Sequence, residues 1–324
     1  MSHAIRFHKT GGPEVLQWEE VSVGDPGPGT VRIAHKAIGL NYIDTYHRTG
    51  LYPMPMPSGI GLEAAGVVEA VGPGVTELAV GDRVAYCNGP IGAYCEKKIH
   101  PVERLVKIPE GISFEQAACM MLQGLTVQYL FRRTYALKAD ETILFHAAAG
   151  GVGLIACQWA KALGVHVIGT VSSEEKAKLA ADNGCEHTVI YTKEDFVART
   201  KEITGGKGVP VVYDGVGKDT FMRSLDCLQP RGMMVSFGNA SGAVEPLNLG
   251  ILAAKGSLYV TRPTLLTHTT PRAALVAAAD ELFGHVLAGR IKVGARQSYA
   301  LKDAKQAHID LEARKTTGST VLLP

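Results

Sequence analysis

The stretch from Thr142 to Cys157 runs from an apolar strand through a glycine-rich turn into a helix, and its residue types suit one task, the holding of a phosphate. Ala148-Ala-Gly-Gly-Val-Gly153 occupies the place of Gly-x-Gly-x-x-Gly, with alanine at the first glycine. Gly150 lets backbone approach a pyrophosphate and Gly153 lets the helix pack closely on its sheet, while Gly151 and Val152 open a helix whose unpaired N–H groups face the anion. A tight strand-to-helix turn needs small residues whatever it binds, so the turn alone leaves a purely structural role open.

A second phosphate is read one strand later. An NAD site asks for an acidic residue about 20 positions after the first glycine. Here that strand ends Val167-Ile-Gly-Thr-Val-Ser-Ser173, with no carboxylate at its tip. Thr170, Ser172 and Ser173 can donate to a 2′-phosphate, Lys176 can meet it as a point charge, and Tyr191 ends the next strand nearby. Glu174 and Glu175 pull the other way, since either could face a ribose and restore NAD. Lys176 also fits a solvated helix lysine and Ser172 an ordinary N-cap. The balance favours NADPH.

These residues need a framework. Up to about residue 120 the sequence is strand-like and dense in turns: Val31 to Ile38 alternates, Ala65 to Val71 is a second β run, and Gly81 to Tyr86 starts another. This predicts a β barrel or sandwich. Leu51-Tyr-Pro-Met-Pro-Met-Pro-Ser-Gly59 is an extended loop, either lining a pocket or serving as a rigid connector. Ser113-Phe-Glu-Gln opens a capped apolar helix running to Leu122.

Beyond it strands and helices alternate. Six strands are expected at 143–145, 165–170, 188–191, 208–214, 232–238 and 256–261, with helices near 151–163, 174–183 and 194–204. That is the pattern of a doubly wound parallel sheet, with ligand along its C-terminal strand ends. The tail holds a helix at 273–287, a strand-like run at 291–299, a short helix at 301–312 and a last strand at 320–323. It is too small to stand alone and is expected to complete the first domain. The division is therefore 1–122 with 262–324 as one domain and 123–261 as an inserted cofactor domain, whose crevice faces the first.

Composition excludes several classes. The 324 residues suffice for two cores, and 33 basic against 31 acidic residues leave a net charge of only +2, which argues against nucleic acid as a partner. No uncharged apolar run approaches membrane-spanning length and the N-terminus lacks a signal-peptide pattern. Six scattered cysteines without Cys-x-x-Cys read as reduced core residues, and the eleven histidines show no zinc spacing. A soluble cytoplasmic protein with no metal site is expected.

Several further motifs accompany the turn: His8-Lys-Thr-Gly-Gly-Pro-Glu-Val-Leu16, Ala37-Ile-Gly-Leu-Asn-Tyr-Ile-Asp44, Gly61-Leu-Glu-Ala-Ala-Gly66 and Val235-Ser-Phe-Gly-Asn239. Over essentially its whole length the chain resembles the zinc-independent, NADPH-dependent quinone oxidoreductases of the medium-chain dehydrogenase/reductase superfamily, the group that includes zeta-crystallin. The resemblance implies an α/β protein with a GroES-like β-barrel catalytic domain and a Rossmann cofactor domain. Zinc-dependent relatives place metal ligands where this sequence has Asn41, Leu62 and Gln123; leucine cannot ligate zinc and amides are poor ligands for it.

Carried over by motif, Asn41, Asp44, Tyr46 and Tyr52 surround the nicotinamide end and the substrate, with Asn41, Tyr46 and Tyr52 as the catalytic candidates. Thr126 and Val127 lie near the cofactor's middle, and Ser172, Ser173, Lys176 and Tyr191 at its 2′-phosphate. Gly215 and Val216 flank the adenosine, Phe237, Gly238 and Asn239 the nicotinamide. Thr261, Arg262 and Pro263 close the junction of the domains, and Arg314 reaches back from the tail. Tyr46 and Tyr52 also fit plain packed aromatics, Asp44 a helix-start acid and Arg314 a surface residue. The implied reaction is metal-free quinone reduction, with Asn41 donating to the developing oxyanion and a tyrosine stacking. Reduction of α,β-unsaturated ketones or aldehydes and nucleotide-regulated binding of AU-rich RNA are the rival readings. The resemblance also implies a homodimer formed near 257–260.

Overall fold

The computed structural model describes residues 2–324. In chain order the first strands are β1 (Ser2–Phe7), β2 (Gln17–Val21) and β3 (Thr30–Leu40), then helix α1 (Tyr42–Thr49), and β4 (Ser58–Gly59), β5 (Glu63–Val71), β6 (Arg83–Tyr86), β7 (Lys97–Pro101) and β8 (Val106–Lys107). Helices α2 (Phe114–Ala118) and α3 (Met121–Tyr129) lead into the alternating segment. It contains β9 (Thr142–Phe145), α4 (Gly151–Ala162), β10 (His166–Val171), α5 (Glu174–Asp182), β11 (His187–Ile190), α6 (Phe196–Ile203), β12 (Val209–Asp214), α7 (Phe221–Ser224), β13 (Leu228–Ser236), α8 (Gly250–Ala254) and β14 (Tyr259–Thr261). The tail adds α9 (Leu265–His268), α10 (Arg272–Leu287), β15 (Ala295–Ala300), α11 (Ala304–Glu312) and β16 (Ser319–Leu323).

The chain divides into two compact units. The first runs up to Leu125 and includes Thr269–Leu287 and Val293–Pro324; the second is Thr126–His268 with Ala288–Lys292. In the first, a seven-stranded sheet of order β15-β16-β3-β5-β6-β8, with β7 paired to β3, accompanies a three-stranded sheet β2-β1-β4. Alternation along β3 sends Val31, Ile33 and His35 inward, and Val31 and Ile33 join a core that includes Ile38, Val68, Val84 and Leu322. The last strand pairs antiparallel with β3 through Leu322↔Ile38 and Thr320↔Leu40, which brings Ser319 to the point where β3 gives way to α1. At Gly39 a Cβ would lie 2.3 Å from both the Ala118 carbonyl and a Glu63 carboxylate oxygen, so only glycine lets α2 and Glu63 come this close to the strand.

The second unit is a parallel sheet of order β11-β10-β9-β12-β13-β14, which in terms of the six strands is 3-2-1-4-5-6, the dinucleotide-binding order. Its central strands β9, β10 and β12 are mostly apolar and mostly buried, as expected of strands covered on both faces.

Three local expectations are corrected. The capped helix from Ser113 does not run to Leu122 unbroken: its capping box forms, but the helix closes at Cys119 and restarts at Met121. The sixth strand starts only at Tyr259, because Gly256 and Ser257 both take positive φ and make a turn. Residues 291–294 are not strand; Gln158 accepts the Lys292 N–H and donates to its carbonyl, so this segment is tied to α4 and β15 begins at Ala295.

Candidate active site

In the first unit the site is assembled where β3 meets α1. Asn41 is extended (φ −127°, ψ 153°) and caps α1, while Asp44, three residues on, accepts the Asn41 N–H at 3.0 Å. The Asn41 amide is held from two sides. Its Nδ2 donates to Glu63 Oε2 at 2.6 Å, and its Oδ1 accepts from Gln123 Nε2 at 3.2 Å. Ser319 Oγ in turn donates to Gln123 Oε1 at 2.7 Å. The other Glu63 oxygen accepts the Leu122 N–H at 2.7 Å, an orphan donor of the first turn of α3, so the interruption of the helix at Cys119 is what gives Glu63 this partner.

Both carboxyl groups are fully buried. Burial pushes Glu63 up to about 8, against the opposing pull of its bonds from Asn41 and Leu122, and pushes Asp44 up to about 7. Asp44 Oδ2 also accepts the Tyr94 hydroxyl at 2.8 Å, and that hydroxyl lies 3.2 Å from His308 Nε2. Arg48, buried, reaches His308 Nδ1 at 3.1 Å and Glu312 at 2.7 Å. With the guanidinium donating to Nδ1, His308 must carry its proton on Nε2, and burial beside Arg48 lowers it to about 3. The start of α1 is thereby bound to the tail helix α11.

The aromatic candidates are brought together. Tyr46 and Tyr52 meet edge to face at 5.2 Å between ring centroids, and the Tyr52 N–H donates to the Tyr46 carbonyl at 3.1 Å, folding the proline-rich loop back on α1. Tyr46 is buried and Tyr52 half-buried. Arg314 is exposed beyond α11, with a left-handed φ of 58°, and its charge bears on Tyr42.

In the second unit Thr126 and Val127 lie on α3, and the other candidates follow the C-terminal ends of the strands. Gly150 caps α4 in extended conformation with no side chain bonding the first-turn N–H groups, which belong to Gly151, Val152 and Gly153. A Cβ on Gly153 would stand 2.4 Å from the Ala147 carbonyl, so the glycine brings the helix start onto the turn. An uncapped helix start in a glycine cradle fits a pyrophosphate.

Ser172, Ser173, Lys176 and Tyr191 gather at the ends of β10 and β11, where the Tyr191 N–H donates to the Val171 carbonyl at 3.1 Å. Ser173, not Ser172, caps α5, accepting the Lys176 N–H at 3.3 Å. Thr170 is withdrawn: its hydroxyl is buried and bonded to His146 Nδ1 at 2.9 Å. Glu174 is ion-paired with Lys193 at 2.8 Å.

The loop after β13 is fastened to the loop after β12. Ala240 donates to the Gly215 carbonyl at 3.2 Å and Ser241 to the Val216 carbonyl at 2.8 Å, which places Phe237, Gly238 and Asn239 beside Gly215 and Val216. Arg262, between Thr261 and Pro263, donates to the Ser236 carbonyl at 3.0 Å. Its charge acts on Tyr129, which is hydrogen-bonded to Thr126; Val127 is fully buried.

The residues that sequence reasoning missed are the supports. Glu63 stood inside a quoted motif, but nothing in the sequence paired it with Asn41; Tyr94, His308 and Arg48 carried no signal. Among the described residues no group of three or more His, Cys, Asp or Glu is placed to hold a metal ion.

Residues 27–110 match the family model "Alcohol dehydrogenase GroES-like domain" and residues 151–277 the family model "Zinc-binding dehydrogenase". The quinone oxidoreductase of Pseudomonas aeruginosa is 59% identical over 325 residues, covering 100% of both chains. The 2-haloacrylate reductase of a Burkholderia species is 47% identical, over 100% of this chain and 99% of its own. The crystal structure of Escherichia coli quinone oxidoreductase complexed with NADPH superposes with a TM-score of 0.98 at 56% identity, covering 99% of this chain and 100% of the other. With the two units, the strand order and the glycine cradle, these likenesses show that the chain belongs to the quinone oxidoreductase family of the medium-chain dehydrogenase/reductase superfamily.

Proposed function

We propose that this chain reduces quinones of the benzoquinone and naphthoquinone type with NADPH and without zinc. The observation that carries the reading is the Asn41 amide, a hydrogen-bond donor held by Glu63 and Gln123 at the start of α1, with the paired rings of Tyr46 and Tyr52 on that helix and the loop after it. Full-length likeness to proteins named quinone oxidoreductase supports it.

NADPH, when bound, supplies the hydride. The uncapped start of α4 holds its pyrophosphate, and Ser172, Ser173, Lys176 and Tyr191 hold the 2′-phosphate, with Glu174 already engaged by Lys193. Thr126 and Val127 lie along its middle, Gly215 and Val216 at the adenosine, and Phe237, Gly238 and Asn239 at the nicotinamide, flanked by Thr261, Arg262 and Pro263.

Asn41 Nδ2 bears two hydrogens, one of which Glu63 takes; the second is offered to the quinone oxygen as negative charge gathers on it. Asp44 fixes the backbone from which that amide projects, Tyr46 and Tyr52 stack on the ring, and Arg314 approaches from the tail. A quinone spreads the incoming charge over two oxygens, so alignment does most of the work.

Anaerobic NADPH oxidation with benzoquinone and naphthoquinone, beside an activated alkene such as 2-chloroacrylate, tests the reading. Faster turnover of the quinones is expected; alkene turnover without any quinone turnover would overturn the substrate assignment.

We further infer a homodimer joined at the β14 edge, where Tyr259 is 58% and Val260 38% exposed on a terminal strand; sedimentation reads its mass. No helix among the described residues is long and apolar enough to cross a membrane, and all six cysteines are free and buried, which supports a reducing, cytoplasmic setting.

A further inference from the structure

A chain of hydrogen bonds, passing through the main chain at Thr220, runs across the C-terminal ends of the second unit's strands, and the buried His146 is its middle. The imidazole is buried, with Nδ1 at 2.9 Å from Thr170 Oγ1 and Nε2 at 2.8 Å from Ser224 Oγ. The donor at each link can be assigned. Ser224 spends its hydroxyl hydrogen on the Thr220 carbonyl at 2.8 Å, so its oxygen must accept from His146, and the ring carries its proton on Nε2. Nδ1 is then an acceptor, filled by the Thr170 hydroxyl, whose oxygen is free to accept the Ala147 N–H at 3.3 Å. At the far end Thr220 Oγ1 donates to Asp214 Oδ2 at 2.7 Å, and Asp214 Oδ1 accepts the N–H groups of Val216 at 2.7 Å and Gly217 at 3.0 Å.

Each end of the chain is a piece of the proposed cofactor site. Ala147, with a left-handed φ of 56°, opens the glycine turn; Thr170 is two residues before Ser172; Asp214 shapes the backbone of Gly215 and Val216. These segments lie on three different strands and share no covalent connection shorter than a βα crossover. We infer that His146, as a neutral Nε2–H imidazole, is a positioning residue for NADPH: it sets the pyrophosphate turn, the 2′-phosphate loop and the adenosine loop relative to one another without touching the cofactor. The inference rests on the NADPH reading above and adds to it a residue that neither the glycine motif nor the 2′-phosphate cluster includes. A positively charged ring would present two donors and strand the Thr170 hydroxyl, and burial accordingly holds His146 below its ordinary range.

The test replaces His146 by Phe, which keeps an aromatic ring against Phe196 and deletes both bonds. NADPH affinity is measured by fluorescence titration and quinone turnover by steady-state kinetics. The expected result is NADPH Kd and KM raised about tenfold, roughly the loss of one net buried hydrogen bond. The kcat at saturating NADPH and the quinone KM should stay within about twofold, since no cofactor or quinone contact is lost. His146→Gln, whose amide can donate to Ser224 and accept from Thr170, should recover most of the affinity. A folded His146→Phe protein with wild-type Kd and KM for NADPH overturns the inference. If that variant does not fold, Ser224→Ala, which cuts one link and leaves the ring, decides by the same criterion. A wild-type protein without measurable NADPH affinity would instead overturn the cofactor reading.

Discussion

Gln123 Nε2 donates to Asn41 Oδ1 across 3.2 Å, so two amides 82 residues apart in the sequence are bonded to each other. The bond has a direction, set from behind. Ser319 Oγ lies 2.7 Å from Gln123 Oε1 and 3.2 Å from the Cys119 carbonyl; with its one hydrogen given to the nearer oxygen, Gln123 Nε2 faces Asn41, which then presents Oδ1 to Gln123 and Nδ2 to Glu63. Three residues from distant parts of the sequence, Glu63, Gln123 and Ser319, thus set which way the Asn41 amide points.

Asn41→Ala removes the proposed oxyanion donor and should lower kcat for a quinone by about a hundredfold. Gln123→Leu leaves the donor but frees its orientation, and should cost about tenfold or less. Stopped-flow measurement of the reduction step, with thermal melts confirming the folded state, checks the order of the two effects. Equal losses would mean that Asn41 acts through the network rather than on the substrate.

The buried pair Glu63 and Asp44 makes stability depend on pH. Their folded values, about 8 and about 7, lie above the unfolded values of 4.5 and 3.8, so the native state binds more protons between those limits. Stability is therefore highest at the acid end of that window and falls as pH rises through the folded values, at up to about 1.4 kcal/mol per pH unit for each group. Urea melts at pH 5.5, 7 and 8.5 should show a declining midpoint, and Glu63→Gln, with one titrating group fewer, a shallower decline. An unchanged slope in Glu63→Gln would show that Glu63 does not carry it.

Gly153→Ala places a Cβ 2.4 Å from the Ala147 carbonyl, a contact with backbone that no rotamer relieves. The turn must open, with an expected loss of about 1–3 kcal/mol in stability. A larger fractional loss of NADPH affinity should accompany it. Gly150→Ala, whose Cβ would meet the same carbonyl at 3.2 Å, should be milder in stability. Calorimetry and cofactor titration on the two variants separate packing from binding.

The parallel sheet was readable because its strands are short apolar runs punctuated by glycine and its helices keep a 3.6-residue period, signals that lie within ten or so neighbouring residues. The glycine turn and the candidates beyond β10 were readable for the same reason. Glu63, Tyr94 and His308 were not. Each is singled out by burial against a partner 22, 50 or 260 residues away, as in Glu63 with Asn41, Tyr94 with Asp44 and His308 with Arg48, and no local pattern encodes that. Thr170 misled for a related reason: a hydroxyl at a strand tip looks available until His146, 24 residues earlier, is seen to occupy it. Ser172 and Ser173 compete for one cap, and only the backbone geometry chooses Ser173.

That choice sharpens the last prediction. Ser173 has its oxygen committed to the Lys176 N–H, which fixes the first turn of α5 and with it the origin of the Lys176 side chain, while Glu174 is drawn toward Lys193. The cation should therefore decide between cofactors, and Glu174 should oppose it only when released. Lys176→Ala is expected to lower the ratio of kcat/KM for NADPH over NADH about tenfold or more, by loss of NADPH activity rather than gain with NADH. Lys193→Ala, which frees Glu174, should lower the ratio less and only at low ionic strength, since an exposed charge is screened by salt. Steady-state kinetics with both cofactors at low and physiological salt measures this. A Lys176→Ala enzyme with an unaltered ratio would move the 2′-phosphate to Ser172, Ser173 and Tyr191 alone.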